Sequence, residues 1–550
     1  FGDNTMKLSN CYSAIISGDN LPKKILQDTV DCYRSAVDYF IVIIDKYWGV
    51  LFTKEMSQED LIKVAESLCI PSSKRIGPNY NFPSAAPSFN HFPSYLRRAA
   101  ICAAFGKVTA YHTLLSKWSK APHKKGQNPP GKPKAGDCFP PLYRHNMFEG
   151  HKFAEYLQLQ SQTNGQSTIP AATLEQFCKA RIKVFLGDKK NPKKQEWDWI
   201  DVTLRKSDIK YILQHCAGQD ESVPTLINKG KLWKLSFLFT QEVTLHDKDV
   251  ADQIVVSCDL GLNNAVTCSV MKADGTVLGR EFLKLPSEEA HLRHTLGLIR
   301  KGQSKGNRKQ RKLWSRVRGI NNDISVKTAA FIIDVAIRYH ADVIVMENLH
   351  LQGKKRRGGK RQRLSLWKAK DVQRMVESKA HLHGMRFSTV CAWNTSRLAF
   401  DGSGRVLRDR DNYSMCTFPN PNYVEPPKGK EARVSTDSSK EANTSNGQAS
   451  SDAKVSAKTV VTKSVKASKA RSKAQNLAKY EGGKRYHCDL SASYNIGARY
   501  FIRAILKAQD ALTGQHLKAK VPECAHGSTC CLNTLISLNA ELRSLKNKAL

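Results

Sequence analysis

The sequence predicts a multidomain α+β protein made of a helical lobe, a small β-barrel and an α/β domain with buried strands. Three observations carry this. Apolar residues recur at helical spacing through the first 120 positions. The period then changes to two, so that Trp233, Leu235, Phe237 and Phe239 alternate with Lys234, Ser236 and Thr240. Further on, two apolar runs, 254–259 and 341–347, each end on an acid, and runs rich in β-branched residues make central strands. At 550 residues, 41% of them apolar, the chain is too long for one core, and two to four domains are expected.

Taken in order, residues 6–20 give a first barrel strand with weak alternation. A helical lobe follows over 21–120. Its first helix begins near Asn20 and reaches about Trp48, with Ile25, Val30, Val37 and Ile44 among its apolar positions. The second lies near 58–69, and after a loop punctuated by Pro71, Pro78, Pro83, Pro87 and Pro93 the third covers about 95–118. A Lys/Pro/Gly linker occupies 121–136. The barrel fills 137–250, with Trp197, Trp199 and Val202 in a further strand, and its aromatics suit an antiparallel core better than a binding face. Residues 251–416 form the first part of the α/β domain. There Asp323 is placed to cap a helix whose Val326, Ala330, Ile333 and Ile337 share a face. A low-complexity insert spans 417–484. Its centre, 420–479, is rich in Lys, Ser, Ala and Thr and buries too little to offset its ordering entropy. Residues 485–550 return to the α/β domain and a C-terminal tail. Residues 1–5, ahead of Met6, read as an expression remnant.

The chemistry concentrates where strands end. Ile254, Val255 and Val256 lead to Asp259. A Gly and two Asn follow, then a second strand from Ala265 to about Met271, a hairpin at Asp274-Gly275 and a third strand from Thr276. Alone, this stretch reads equally well as a hairpin with a capping Asp. The run 341–349 repeats the pattern, releasing Glu347 at a strand end, and Asp489 sits in the first turn of a helix. Three acids at the ends of three regular elements suit an RNase H-like site.

The motifs Asp-Leu-Gly-Leu-Asn-Asn from Asp259, Val-Met-Glu-Asn-Leu around Glu347 and Asp-Leu-Ser-Ala-Ser-Tyr-Asn-Ile from Asp489 come in a telling order. They resemble the three split motifs of the RuvC-like nuclease shared by transposon TnpB proteins, type V CRISPR effectors and eukaryotic Fanzors. Asn394-Thr395-Ser396 matches as well, and the resemblance covers 254–505. It implies an RNA-guided DNA endonuclease. Asp259 would be the shared ligand of two Mg²⁺ ions, with Mn²⁺ as a substitute, and Glu347 and Asp489 would each complete the shell of one. It also implies that the helical lobe is a recognition lobe on the guide–target duplex, that the barrel is a wedge domain split around it, and that the α/β domain is RuvC-like. Two other readings stand beside it: a nuclease or transposase-like enzyme working on DNA without a guide, and a guide-dependent DNA-binding module that does not cut. The three acids count against the last. The family's zinc ribbon, built from two C-x-x-C pairs, is not intact. Cys391, Cys416, His487 and Cys488 remain, and an adjacent His-Cys pair suits a tetrahedral site poorly. The Cys524, His526, Cys530, Cys531 group is equally weak, so zinc is not expected.

The charge narrows the partners. Eighty-seven Lys and Arg against 49 Asp and Glu give +38, which disfavours a compact fold unless a polyanion neutralises it. Guide RNA and target DNA fit. A membrane does not, since no amphipathic basic helix with a clear apolar face, 18-residue apolar span or signal peptide stands out. Arg300, Lys301, Lys305, Arg308, Lys309, Arg311, Lys312, Arg316 and Arg318 crowd one predicted helix, with Trp314 among them. Charges of a single sign point to phosphate contacts. Lys354, Lys355, Arg356 and Arg357, with Lys360 and Arg361, read the same way or as a nuclear localisation sequence. Arg499 reads as a helix-surface charge that could touch the scissile phosphate. Fifteen scattered cysteines, several in apolar stretches (Cys69, Cys102, Cys178), suit a reducing compartment. The expected location is the bacterial cytoplasm, beside the nucleoid, or a eukaryotic nucleus, with a monomer favoured.

Overall fold

The computed structural model describes residues 4–17, 22–73, 79–120, 128–157, 169–187, 197–230, 232–261, 264–349, 368–409, 411–423, 477–513 and 531–549. It is mixed α/β and divides into two compact units, Lys7–Glu242 and Phe1–Met6 with Val243–Leu550.

In the first unit the chain begins with β1 (Thr5–Ser17) and then leaves the sheet for helices α1 (Lys23–Lys46), α2 (Gln58–Cys69), α3 (Phe82–Ala85) and α4 (Ser94–Ser119). Leu26, Val30, Tyr33, Val37, Phe40 and Ile44 form one stripe of α1 and are buried, with α1 packed on α4. Ser57 caps α2 by accepting from the Asp60 backbone N–H at 3.1 Å. The chain then returns through β2 (Phe148–Glu149), α5 (Ala171–Cys178), β3 (Lys179–Phe185), β4 (Trp197–Leu204), α6 (Lys206–Cys216), β5 (Asp220–Glu221), β6 (Thr225–Lys229) and β7 (Leu232–Thr244). The sheet order is β2-β3-β4-β1-β7-β5, with β6 also on β7. The aromatics of β7 are core: Trp233, Leu235, Phe237 and Phe239 are each no more than 4% exposed. The expected barrel is an open sheet among the described residues. Its path ends on β2 and β5, two-residue strands too short to carry a closing ladder.

The second unit is built on a five-stranded sheet. Strands β8 (Ile254–Asp259), β9 (Val266–Lys272) and β10 (Val277–Leu283) form an antiparallel meander. Helices α7 (Pro286–Ser304) and α8 (Arg311–Arg338) lead to β11 (Val343–Asn348), and α9 (Ala369–Leu382) leads to β12 (Arg386–Cys391). β11 lies parallel to β8, and β12 parallel to β11, so the order is β10-β9-β8-β11-β12. A small sheet follows, with β13 (Leu407–Arg408), β14 (Met415–Thr417) and β15 (Arg485–His487), then α10 (Cys488–Thr513) and α11 (Leu532–Ala549). Strand alternation divides the core between two faces. Val256, Cys258, Ile344 and Met346 meet Ala329, Ile332 and Ala336 of α8 and Val372 and Val376 of α9. Val255, Val343 and Val345 meet Tyr494, Ile496, Phe501 and Ile502 of α10. Gly497 lets α10 lie flush on the sheet, since a Cβ there would stand 2.7 Å from Met271 Sδ and 3.0 Å from Ser257 Oγ.

Four expectations change in this unit. Asp323 does not cap a helix: α8 runs through it unbroken, and Asp323 pairs with Lys327 at 2.9 Å on its surface. The buried face of α8 is Val317, Asn321, Ser325, Thr328, Ile332 and Val335, so Val326, Ala330 and Ile337 are exposed and only Ile333 of the expected face is buried. Its polar members satisfy themselves on the preceding turn, as when Ser325 Oγ donates to the Asn321 carbonyl at 2.8 Å. The basic segment is two helices rather than one. Residues 305–310 separate α7 from α8, and Gln310 Nε2 locks the turn by donating to the Ile299 and Asn307 carbonyls, both at 2.9 Å. Finally, the margins of the expected insert belong to the fold. Phe418 is fully buried and its N–H donates to the Lys484 carbonyl at 2.8 Å, while Asn420 N–H donates to the Lys479 carbonyl at 2.9 Å. No helix among the described residues is long and apolar enough to cross a membrane.

Candidate active site

Alternation decides where the acids point. Asp259 shares the parity of Val255 on β8, and Glu347 that of Val343 and Val345 on β11, so both project on the face that α10 covers. The parallel register pairs Met346 with Cys258, which leaves the two acids at the carboxyl ends of adjacent strands. Asp489 is the second residue of α10, where the helix dipole favours a carboxylate. Residues just after β8 complete the arrangement. At Gly261 a Cβ would lie 2.6 Å from the Asn264 carbonyl oxygen, and buried Asn264 donates from Nδ2 to Asp489 Oδ2 at 2.9 Å.

Asp259 senses the other two acids. Asp259 is 8% exposed, and its carboxyl is held well above the usual range by burial first, then by Glu347 and Asp489, with Arg408 opposing. Burial also raises Glu347, against the Thr395 hydroxyl, which donates to Glu347 Oε1, and against the charge of Arg499. Thr395 is held by its own carbonyl, which accepts from Asn495 Nδ2 at 3.0 Å, and Gln373 Nε2 donates to the Glu347 carbonyl at 2.5 Å. No three His, Cys, Asp or Glu side chains close around one ion-sized point among the described residues. The acids are electrostatic neighbours without being a formed cage.

The other expected residues fall elsewhere. Arg499 is not a surface charge: it is 4% exposed on the inner side of α10 and donates to the Cys391 carbonyl at 2.7 Å. Burial lowers its pKa, and the charge of Glu347 works against that shift. Arg300 and Lys301 lie in the last turns of α7, Arg308 and Lys309 in the connection, and Arg311, Lys312, Arg316 and Arg318 in the first turns of α8, all exposed. Trp314 packs with Leu296, Ile299 and Val317 between those helices. Lys354, Lys355, Arg356, Arg357, Lys360 and Arg361 lie outside the described residues, as do Cys524, His526 and Cys530. Cys416 and Cys488 are buried with Ala399 and Phe418, and Cys391 is exposed at the end of β12. His487 Nδ1 accepts from the Leu490 N–H at 3.3 Å at the start of α10. Asn264, Asn495 and Gln373 were not singled out from the sequence. The first two lie inside the quoted motifs, which was the available signal.

A family model described as the Aq_aa04 family matches residues 13–160. The comparison with curated proteins gives no match. Among solved structures, the chain is similar to a Cas12f1–sgRNA–target DNA complex at 16% identity and a TM-score of 0.35, over 72% of this chain and 91% of that one. It is similar to the Cas12i1 R-loop complex after target DNA cleavage at 10% identity and a TM-score of 0.33, over 69% and 53%. It is also similar to Alicyclobacillus acidoterrestris C2c1 in complex with single-guide RNA at 11% identity and a TM-score of 0.34, over 73% and 64%. The structural neighbours are thus type V effectors of the Cas12f, Cas12i and C2c1 kinds, and the chain spans nearly all of the first but under two thirds of the other two.

Proposed function

We propose that the chain is an RNA-guided DNA endonuclease with a RuvC-like, RNase H-like site resembling that of TnpB proteins and compact type V effectors. What supports this is that Asp259 and Glu347 end adjacent parallel strands and that Asp489, from a third segment, is near enough to raise the pKa of Asp259. The donor set fits a hard divalent cation. It is all carboxylate oxygen, and the pKa of Asp259 is raised by burial first and then by Glu347 and Asp489, a cost that a bound cation would offset. Asp259, Glu347 and Asp489 would hold two Mg²⁺ ions, which when bound would supply Lewis acidity and a more acidic water. The chain's own residues aim the carboxylates: Asn264 holds Asp489, Thr395 holds Glu347, and Gln373 fixes the Glu347 backbone.

The basic residues support a polyanionic partner. The first turn of α8 carries no acid to balance the helix dipole, and Arg311, Lys312, Arg316 and Arg318 crowd that end. Phosphates of a guide RNA or its DNA target would relieve the repulsion. In this reading the helices α1–α4 serve as a recognition lobe and the sheet of the same unit as a wedge. The test is cleavage of DNA in Mg²⁺ by the purified chain with its co-purifying RNA. Asp259→Ala should abolish cutting while leaving nucleic-acid binding nearly intact. Full cleavage by that variant would remove the assignment, and cleavage with no RNA of defined length would point to a guide-independent nuclease.

A further inference from the structure

Beside the carboxylates lies a cavity of 330 Å³ lined by Ser396, Arg397, Arg405, Val406, Arg408 and Tyr413. Three arginines line it and no carboxylate does. The nearest acid in sequence, Asp409, is already engaged by Arg485 at 2.6 Å and by the backbone N–H groups of Asp411 and Asn412. The cavity abuts the site through the chain itself. Thr395 holds Glu347, and the next residue, Ser396, accepts from Arg408 Nη2 at 3.3 Å.

The frame is set before any ligand arrives. Val406 N–H donates to the Arg397 carbonyl and Ala399 N–H to the Gly404 carbonyl, both at 2.9 Å, closing a hairpin. Tyr480 Oη pins the Arg405 carbonyl at 2.9 Å, while the Arg397 and Arg405 side chains stay exposed. The Arg408 guanidinium stands 5.2 Å from the centre of the Tyr413 ring, which is 56% exposed. Guanidinium forks match phosphate oxygens, and an exposed aromatic face accepts any base.

We propose that this cavity is a phosphodiester subsite, in which Arg397, Arg405 and Arg408 grip one backbone phosphate of single-stranded DNA beside the bond to be cut and Tyr413 supports an adjacent base. The proposal deepens the nuclease reading above and rests on it for the word "cut". The subsite would fix the strand's position before chemistry, which no carboxylate can do, since each repels the backbone.

The experiment follows binding and cleavage separately in the full chain. A fluorescein-labelled short oligodeoxythymidine is titrated in EDTA at several salt concentrations against the parent, Arg397→Ala/Arg405→Ala, Arg397→Lys/Arg405→Lys and Tyr413→Ala. The double Ala variant should flatten the log–log salt slope by up to about 0.7, the share of one phosphate on a single strand. The Lys variant should keep the slope and bind more weakly, and Tyr413→Ala should keep the slope and lose about fivefold or more in affinity. An unchanged slope in the double Ala variant, or a loss confined to an oligouridine probe, overturns the subsite. If the parent cleaves DNA in Mg²⁺ while the slope is unchanged, the nuclease reading stands and the subsite falls. If the slope flattens but the parent never cleaves, the subsite stands and the nuclease reading falls.

Discussion

Replacing Thr395 by Val removes one hydroxyl from the wall of the carboxylate site and almost nothing else. Thr395 is 1% exposed, and its hydroxyl donates to Glu347 Oε1 while its carbonyl stays bound to Asn495. Val fills nearly the same volume, so the cavity contribution is small and the lost hydrogen bond dominates. A hydrogen bond to a charged group is worth about 1.5–3 kcal/mol, and the attraction of Arg499 for Glu347 remains. The melting temperature should fall by several degrees, at about 2–4 °C per kcal/mol for a large domain. The larger effect is on aim, because losing a group that orients a metal ligand costs about 10–100-fold in metal affinity or activity. A Mg²⁺ titration of DNA cleavage, run beside a thermal melt, reads both. Thr395→Ser keeps the hydroxyl and should behave much as the parent does. A Val variant that matches the parent's Mg²⁺ half-saturation, or a Ser variant as poor as Val, would refute the reasoning.

Asn264→Ala should cost about tenfold or more in Mg²⁺ affinity through misplaced Asp489, and Asn264→Asp should be worse because it adds a fourth carboxylate; a Mg²⁺ titration equal to the parent's in both would exclude the role. Gly497→Ala forces a Cβ to 2.7 Å from Met271 Sδ. Overpacking costs about 1–3 kcal/mol and the better helix former returns up to about 1, so a net loss of about 1 kcal/mol should show in a denaturant melt. The pH dependence follows from Asp259, whose folded pKa is raised by burial, Glu347 and Asp489. The folded state then holds that proton more tightly than the unfolded chain. The resulting stability is fully present below the ordinary value of about 3.9 and is lost as pH rises through the raised one. In EDTA the parent should therefore lose stability against Asp259→Asn as pH rises across that window, and parallel melting curves would contradict it.

Much of this molecule was legible because its periodic signals are local. The helix at Gln58–Cys69 has the bounds its pattern suggests, and the alternation at Trp233 to Phe239 marks buried core. The strands leading to Asp259 and Glu347 read as buried because both faces are covered, which makes them continuously apolar. What was hidden depends on partners remote in sequence. The inner face of α8 mixes Asn321, Ser325 and Thr328 with aliphatics, so hydropathy pointed to Val326 and Ile337, which face solvent. Arg499 looked like a surface charge because nothing local reveals that the Cys391 carbonyl waits for it. The same holds for the site: the acids stood out at element ends, but the hydroxyl and amides that aim them are recognisable only once Asn264 meets Asp489 and Thr395 meets Glu347.

The clasp at Asn420–Lys479 and Phe418–Lys484 has a practical side. It brings the two flanking segments together before Asp489 and α10 are reached. Loop-closure entropy grows only logarithmically, and a flexible replacement of twice the length would add about 0.6 kcal/mol. The position is therefore a docking port in the covalent chain. A folded tag, a second binding module or a short linker could be spliced there, with Asp489, a few residues downstream, left in its place.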